Sequence, residues 1–294
     1  MKIGVIVPQG WTGEYDGWDA RRAWERTVWV AQQAEALGFD SVWAFDHFHT
    51  QPVPTDEITF ESFTTLTALA VLTQRVRLGH VVSCAGYRNA AQAAKAISTM
   101  DVAAGGRMEF GLGAGWKADE WIAYGYDFPA TPARLKHLGD ALEITTRMLN
   151  PGRATYSGAT ARVDGAINVP KGLQHPRVPI IVGGNGREVT WRLAARYADE
   201  LNLDNLAIAD IADAMVVIRQ RCAEVGRDPE TLRVSVHLWW ETLDRGDPVA
   251  MLRAYREAGV DRVMTLARSS ANDNGALSEL REVAKTAGVV FASA

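Results

Sequence analysis

Eight short apolar runs, each followed by a stretch of helical period, set the tightest limit on what this 294-residue chain can fold into. The runs are residues 2–7, 39–45, 76–82, 107–112, 178–182, 200–203, 232–237 and 262–266. Between them apolar residues recur at steps of three and four, as Trp24, Val28, Ala31 and Ala34 do, and later Ile211, Met215, Ile218, Cys222 and Val225. Gly38, Gly226 and Gly259 stand where helices end, and Asp247-Pro248 where one begins. Strict alternation of strand and helix calls for parallel pairing with right-handed crossovers. Eight such units in this length close into a barrel. The predicted fold is α/β, a (β/α)8 TIM barrel forming a single domain over residues 1–294. Residues 150–176, rich in Gly, Pro and Thr, fit no unit and read as an insertion between the fourth helix and the fifth strand.

Composition narrows the partners. The chain carries 31 basic and 35 acidic side chains, a net charge of −4, with no basic cluster, which argues against a nucleic-acid partner. No stretch reaches the roughly 18 to 20 apolar residues of a membrane helix. The start of the chain, Met1 to Pro8, has too short an apolar run for a signal peptide. The two cysteines, Cys84 and Cys222, show no metal or redox spacing, so a reduced, cytoplasmic setting is expected.

A barrel of this kind works at the end built from the loops after each strand. Those loops gather residues 8–10, 46–49, 83–88, 111–116, 183–187, 202–204, 237–241 and 267–270, which hold nearly every glycine-rich or chemically capable cluster. The strongest is the strand Val178 to Val182 running into Gly183-Gly184-Asn185-Gly186-Arg187 and then a helix. Glycines there let backbone amides approach a phosphate, and a helix N-terminus adds partial positive charge. A phosphate site is favoured over a bare turn. The run Gly111-Leu112-Gly113-Ala114-Gly115-Trp116 lacks the third Gly of a dinucleotide fingerprint and serves close packing or cofactor contact equally well.

Asp46-His47-Phe48-His49 is the one place on this rim where a carboxylate adjoins an imidazole. Histidine titrates near neutrality and can pass a proton, although rim histidines are more often structural. His47 and His49 also permit a metal reading with His237 as a further ligand. The eighth strand ends Thr265-Leu266-Ala267-Arg268 without an Asp, so no metal is expected. Ten tryptophans are present, five of them (Trp11, Trp18, Trp24, Trp29 and Trp43) near the start. Trp24 and Trp29 read as packing. Trp11, Trp116, Trp239 and Trp240 fall on rim loops, where they can stack on a flat ligand.

These pieces together resemble the luciferase-like oxidoreductase superfamily, and within it the coenzyme F420-dependent branch. The resemblance runs the length of the chain. It is carried by Ile3-Gly4-Val5, by Ala36 to Trp43 leading to Asp46-His47-Phe48, and by Val76-Arg77-Leu78-Gly79. It continues through Met100-Asp101, Gly105-Gly106-Arg107, the Gly111 to Trp116 run, Pro179 to Gly184, and Ala195 to Asp199.

The resemblance implies a deazaflavin ring in the barrel mouth, with FMN as the alternative cofactor, and its phosphate on Gly183, Gly184, Asn185 and Gly186. It implies a cis peptide at Val81-Val82 behind the ring, Cys84 at the ring edge, and contacts from Gly113 and Ala114. His47 and Asp46 match the catalytic pair of that branch, with His47 handling the proton. Trp116 stands where the family's sugar-phosphate dehydrogenases have Glu, which turns the expected substrate from a sugar phosphate to a small planar electrophile such as a nitroaromatic, enone or imine. Trp11, Trp116, Trp239 and Arg88 are the expected substrate contacts. An FMN-dependent monooxygenase and a non-catalytic flavin-binding protein are the alternatives, and related proteins are commonly homodimers.

Overall fold

The computed structural model describes residues 1–239 and 246–292. Eight parallel strands form a closed ring: β1 (Lys2–Ile6), β2 (Ser41–Ala44), β3 (Arg77–His80), β4 (Met108–Gly113), β5 (Ile180–Gly183), β6 (Glu200–Asp204), β7 (Arg233–Trp239) and β8 (Arg262–Leu266). Each pairs with its neighbour in sequence. β1 closes on β8, with Lys2 to Val5 against Arg262 to Thr265, and β3 on β4 through Leu78↔Met108 and Gly79↔Glu109. The expected barrel is the observed one, and a strand lies within each of the eight apolar runs or overlaps it closely. These strands are buried on both faces, which is why they read as continuous apolar runs and not as alternating ones.

The helices are α1 (Ala20–Ala36), α2 (Ser62–Leu72), α3 (Ala90–Ala103), α4 (Ala118–Ala123), α5 (Thr131–Leu149), α6 (Thr190–Tyr197), α7 (Ile208–Glu224), α8 (Pro248–Glu257) and α9 (Ala276–Thr286). Among the described residues, no helix is long and apolar enough to cross a membrane. The Asp19 carboxylate accepts from the amides of Arg21 and Arg22 at the start of α1, and Asp247 does the same for Val249 and Ala250 in α8. Gly38, at φ +81°, ends α1 in the left-handed region that a side chain would strain.

Two local departures from the sequence reading matter for the site. The fourth unit holds two helices, because the six-residue α4 precedes the long α5. The third strand stops at His80, two residues early: the chain turns at a cis Val81-Val82 peptide and rejoins the sheet as Ser83–Cys84 beside β4. The stretch 150–176 is the expected insertion, built on an antiparallel hairpin of Ala154–Ser157 and Arg162–Ala166. Asp140 of α5 ties it down by accepting from Tyr156 Oη at 2.8 Å and from the Thr160 amide at 2.6 Å.

The barrel interior is layered. At its N-terminal end Arg262 lies among Asp40, Glu109 and Glu200. Above it Ile6, Trp43, Phe45, Val81, Ile181 and Met264 form an apolar plug. The plug is the floor of the site.

Candidate active site

A cavity of about 530 Å³ opens at the C-terminal end of the strands, within the range of small-molecule and cofactor sites. Val81 and Val82 form part of its base. Gly113 of β4 and Gly183 of β5 flank Val82 so closely that a Cβ on either would stand 2.7 or 2.8 Å from its methyl groups. Only glycine lets the two strands approach this side chain, which is the physical content of the two glycine runs at this point. Gly184 follows at φ +127°, a conformation open essentially to glycine alone. Thr190, the first residue of α6, lines the cavity beside it.

His47 stands on the cavity wall. Trp11 stacks on its ring face to face, with centroids 4.0 Å apart and planes within 2°. Trp116, 62% exposed at the mouth, meets the ring edge-on at 5.8 Å. Nδ1 of His47 lies 2.8 Å from Oε2 of Glu120 on α4, a side chain with no exposure at all. The same carboxylate accepts from Tyr87 Oη at 3.0 Å and, through Oε1, from the Phe48 amide at 3.0 Å. Burial works against its charge, but these donors, His47 first, hold the Glu120 carboxyl below its ordinary range. Burial and the adjacent Glu120 push the Tyr87 hydroxyl well above its own.

Asp46 proves to be a different kind of acid from the one expected. Its carboxylate, fully shielded, accepts two bonds from Arg88 at 2.6 and 2.9 Å. It also accepts from Ser62 Oγ, Ser83 Oγ and the Cys84 amide. Burial opposes its charge, yet the Arg88 guanidinium holds the carboxyl below the usual aspartate value. With both oxygens so committed, Asp46 ties the end of β2 to the Ser83–Cys84 bridge, and the acid paired with His47 is Glu120.

Arg88 requires the matching correction. Its guanidinium also bonds Glu61 at 2.7 Å and lies 4.1 Å above the Phe63 ring, so it is not a wall of the main cavity. A charge neutralised by two carboxylates has nothing left for a substrate.

The remaining expected residues divide. Cys84, Gly113, Ala114, Gly183, Gly184, Trp11, Trp116 and Trp239 all line the cavity. Cys84 is nearly inaccessible, and burial pushes its thiol up to about 12, which makes it an inert wall. Asn185 and Gly186 are not on the wall. The Asn185 amide is spent on the backbone of Asp204, bonding its carbonyl at 2.7 Å and its amide at 2.9 Å. Gly186 packs against Thr190. Trp240 lies outside the described residues.

Sequence reasoning also passed over a second histidine–carboxylate pair on the same cavity. His237 Nε2 lies 2.9 Å from Asp204 Oδ1, and its Nδ1 is 2.7 Å from Asn202 Oδ1. This contact holds the Asp204 carboxyl below its ordinary value. Both sets were hidden for one reason: their partners are 73 and 33 residues apart along the chain or more. The nearest available signals were the paired acids Asp119-Glu120 just after the glycine run, and polar residues ending β6 and β7.

The sequence model of the luciferase-like monooxygenase family matches residues 1–286. The chain is 27% identical to the 5,10-methylenetetrahydromethanopterin reductase of Methanolobus tindarius over 70% of its own length and 58% of that protein's. It is 34% identical to the F420-dependent glucose-6-phosphate dehydrogenase of Kineococcus radiotolerans over 58% of its length and 49% of that protein's. The chain thus spans about half the length of these curated relatives. Among solved structures, an F420-dependent secondary alcohol dehydrogenase in complex with an F420-acetone adduct has a TM-score of 0.80 at 20% identity, covering 97% of this chain and 98% of that one. At that identity the likeness is one of fold.

Proposed function

Because the chain belongs to the luciferase-like monooxygenase family, we propose that it is a coenzyme F420-dependent oxidoreductase acting on a small, planar, electron-poor organic acceptor. One observation carries the reading. His47, stacked on Trp11 and bonded to buried Glu120, presents an imidazole to a cavity already shaped by glycines. Relatives named as F420-dependent glucose-6-phosphate dehydrogenases support this cofactor over FMN.

The residues present fit a flat, phosphate-bearing group. Val82 offers an apolar base, and the close approach of Gly113 and Gly183 leaves no side chain between it and the ring space. Gly184 leaves room for a phosphate beside Thr190, and the start of α6 with the Thr190 hydroxyl would hold it through the helix dipole. When bound, the deazaflavin supplies two-electron hydride transfer. The chain's own residues do the rest. Trp116 holds a planar molecule beside His47, whose ring Trp11 backs, and His47 carries the accompanying proton. Asp46 and Arg88 keep the wall in place without touching the reaction.

Nitroaromatics, enones and cyclic imines are the proposed acceptors, since electron-poor planes suit both the tryptophan walls and hydride chemistry. Fluorescence titration should give micromolar binding of coenzyme F420 and much weaker binding of FMN. Equal or tighter FMN binding moves the assignment to a monooxygenase. A panel of these acceptors beside sugar phosphates and secondary alcohols then tests the substrate class. Fast oxidation of a small alcohol, with no planar acceptor reduced, overturns it.

A further inference from the structure

Four groups converge on the carboxylate of Glu120, three from the consecutive residues His47, Phe48 and His49 and one from Tyr87. The Phe48 amide at 3.0 Å and the His49 amide at 3.5 Å address Oε1, while Tyr87 Oη at 3.0 Å and His47 Nδ1 at 2.8 Å address Oε2. An ionised carboxylate only accepts hydrogen bonds, so the ring nitrogen that faces it carries a proton. In the neutral ring the lone pair is then on Nε2. Among the described residues Nε2 of His47 has no hydrogen-bond partner, and the ring lies on the cavity wall. Trp11 sets the plane of that ring. What remains open is which way round the ring sits in that plane and which nitrogen bears the proton, and Glu120 addresses both.

We infer that Glu120 is a positioning residue that holds His47 as its Nδ1–H tautomer and aims Nε2 into the cavity. The inference rests on the reading of His47 as the proton carrier, and it adds the group that prepares the carrier and the nitrogen that acts. Glu120 touches neither substrate nor cofactor space; it works through the imidazole.

Glu120→Gln is the informative variant, because it keeps the shape and changes the donor pattern. The Phe48 amide is a backbone donor and cannot turn round. The glutamine oxygen therefore stays on that side, and the new NH2 group takes the place of Oε2. There it donates to His47 Nδ1, which must release its proton to Nε2, while the Tyr87 hydroxyl rotates to accept. The tautomer reverses without loss of packing. An Asp-to-Asn change beside a catalytic histidine in serine proteases costs about 10⁴ in kcat by the same route.

Nitrogen-15 NMR of histidine-labelled protein, with His47 assigned by its loss in His47→Gln, reads the tautomer directly and needs no cofactor. The wild-type ring should be protonated at Nδ1 and the Glu120→Gln ring at Nε2. With coenzyme F420 and a working acceptor, kcat should fall by up to about 100-fold, the full worth of the proton carrier, while KM stays within about threefold. A wild-type spectrum showing the Nε2–H form overturns the inference even if the variant does not fold. So does a Glu120→Gln ring still protonated at Nδ1. A reversed tautomer with full turnover overturns it too where His47→Ala is inactive. If His47→Ala is itself fully active, the proton-carrier reading falls instead, and the hold of Glu120 on the ring stands.

Discussion

At the N-terminal end of the barrel, Arg262 of β8 bonds Glu200 Oε2 at 2.9 Å, reaches Glu109 at 3.1 Å and Asp40 at 3.4 Å, and Arg77 bonds Glu109 from the other side. At the C-terminal end, Glu120 bonds His47, and Asp204 bonds His237. Both ends place charge in a nearly closed space, but with different partners. The lower cluster uses arginines, which stay charged at every relevant pH and offer several fixed donors. Despite burial, Arg262 and Arg77 hold Glu109 below its ordinary value, while burial and the neighbouring Glu109 push Glu200 above its own. None of these side chains lines the cavity at the opposite end, and they bond one another together with Ser41, Gln174 and the Met108 carbonyl. The upper pairs use histidines, which can give up a proton, and each ring borders an open cavity. Charge locked by arginine is structural; charge paired with histidine beside a cavity is available for chemistry.

The sharpest way to break this contrast is at Arg262. Arg262→Met leaves Glu109 and Glu200 buried without their shared counter-ion and should cost about 3 to 5 kcal/mol of stability, measured as a fall in the denaturant midpoint. A loss under about 1 kcal/mol would mean the cluster is solvated or protonated, and the contrast would fail. Cofactor affinity of the folded fraction should not change.

At the upper end, Gly184→Asp puts a carboxylate where the phosphate is expected and should weaken coenzyme F420 binding by about 3 kcal/mol or more. Gly184→Ala carries the same backbone strain at φ +127° without the charge and separates the two effects. Equal affinities for the two variants would remove the phosphate from this loop.

His80, between the two ends, tests what happens to an imidazole that, among the described residues, bonds no carboxylate and lies off the main cavity. Its ring is buried against Phe63, both nitrogens lack partners, and burial brings it down to about 4 from 6.5. Between those values the unfolded chain binds a proton that the folded chain refuses. Stability therefore falls as pH drops from 6.5 toward 4, by up to about 3 kcal/mol from this group. His80→Phe should remove that contribution and leave stability near neutral pH little changed, as paired denaturation curves at pH 7 and pH 4.5 would show. Parallel pH profiles for the two proteins would mean the ring is hydrated.

The smallest effect expected is kinetic. His47→Ala should slow turnover by about 100-fold, or roughly 2.7 kcal/mol, with cofactor affinity within about tenfold. Native turnover would put His47 among the structural histidines.

The barrel, its strand order, the place of the insertion and the rim that carries the candidate site were legible in the amino-acid order. Those follow from local signals: apolar runs of strand length, helical period, glycine at helix ends and between close strands. It also placed His47, Trp11, Trp116 and the glycine loops on one cavity, because a parallel barrel brings all strand ends to one face. Which charge meets which was settled by folding alone. Asp46 adjoins His47 in the chain, yet its carboxylate belongs to Arg88, 42 residues on, whereas Glu120 reaches His47 from a six-residue helix that carries no periodicity to read. Neighbours along a strand end diverge by the pleat, and side chains from separate loops converge over the barrel mouth. Adjacency in sequence therefore says where a group stands on the rim but not what it touches. A buried carboxylate takes the partners that satisfy it, and only the folded chain brings them within 3 Å.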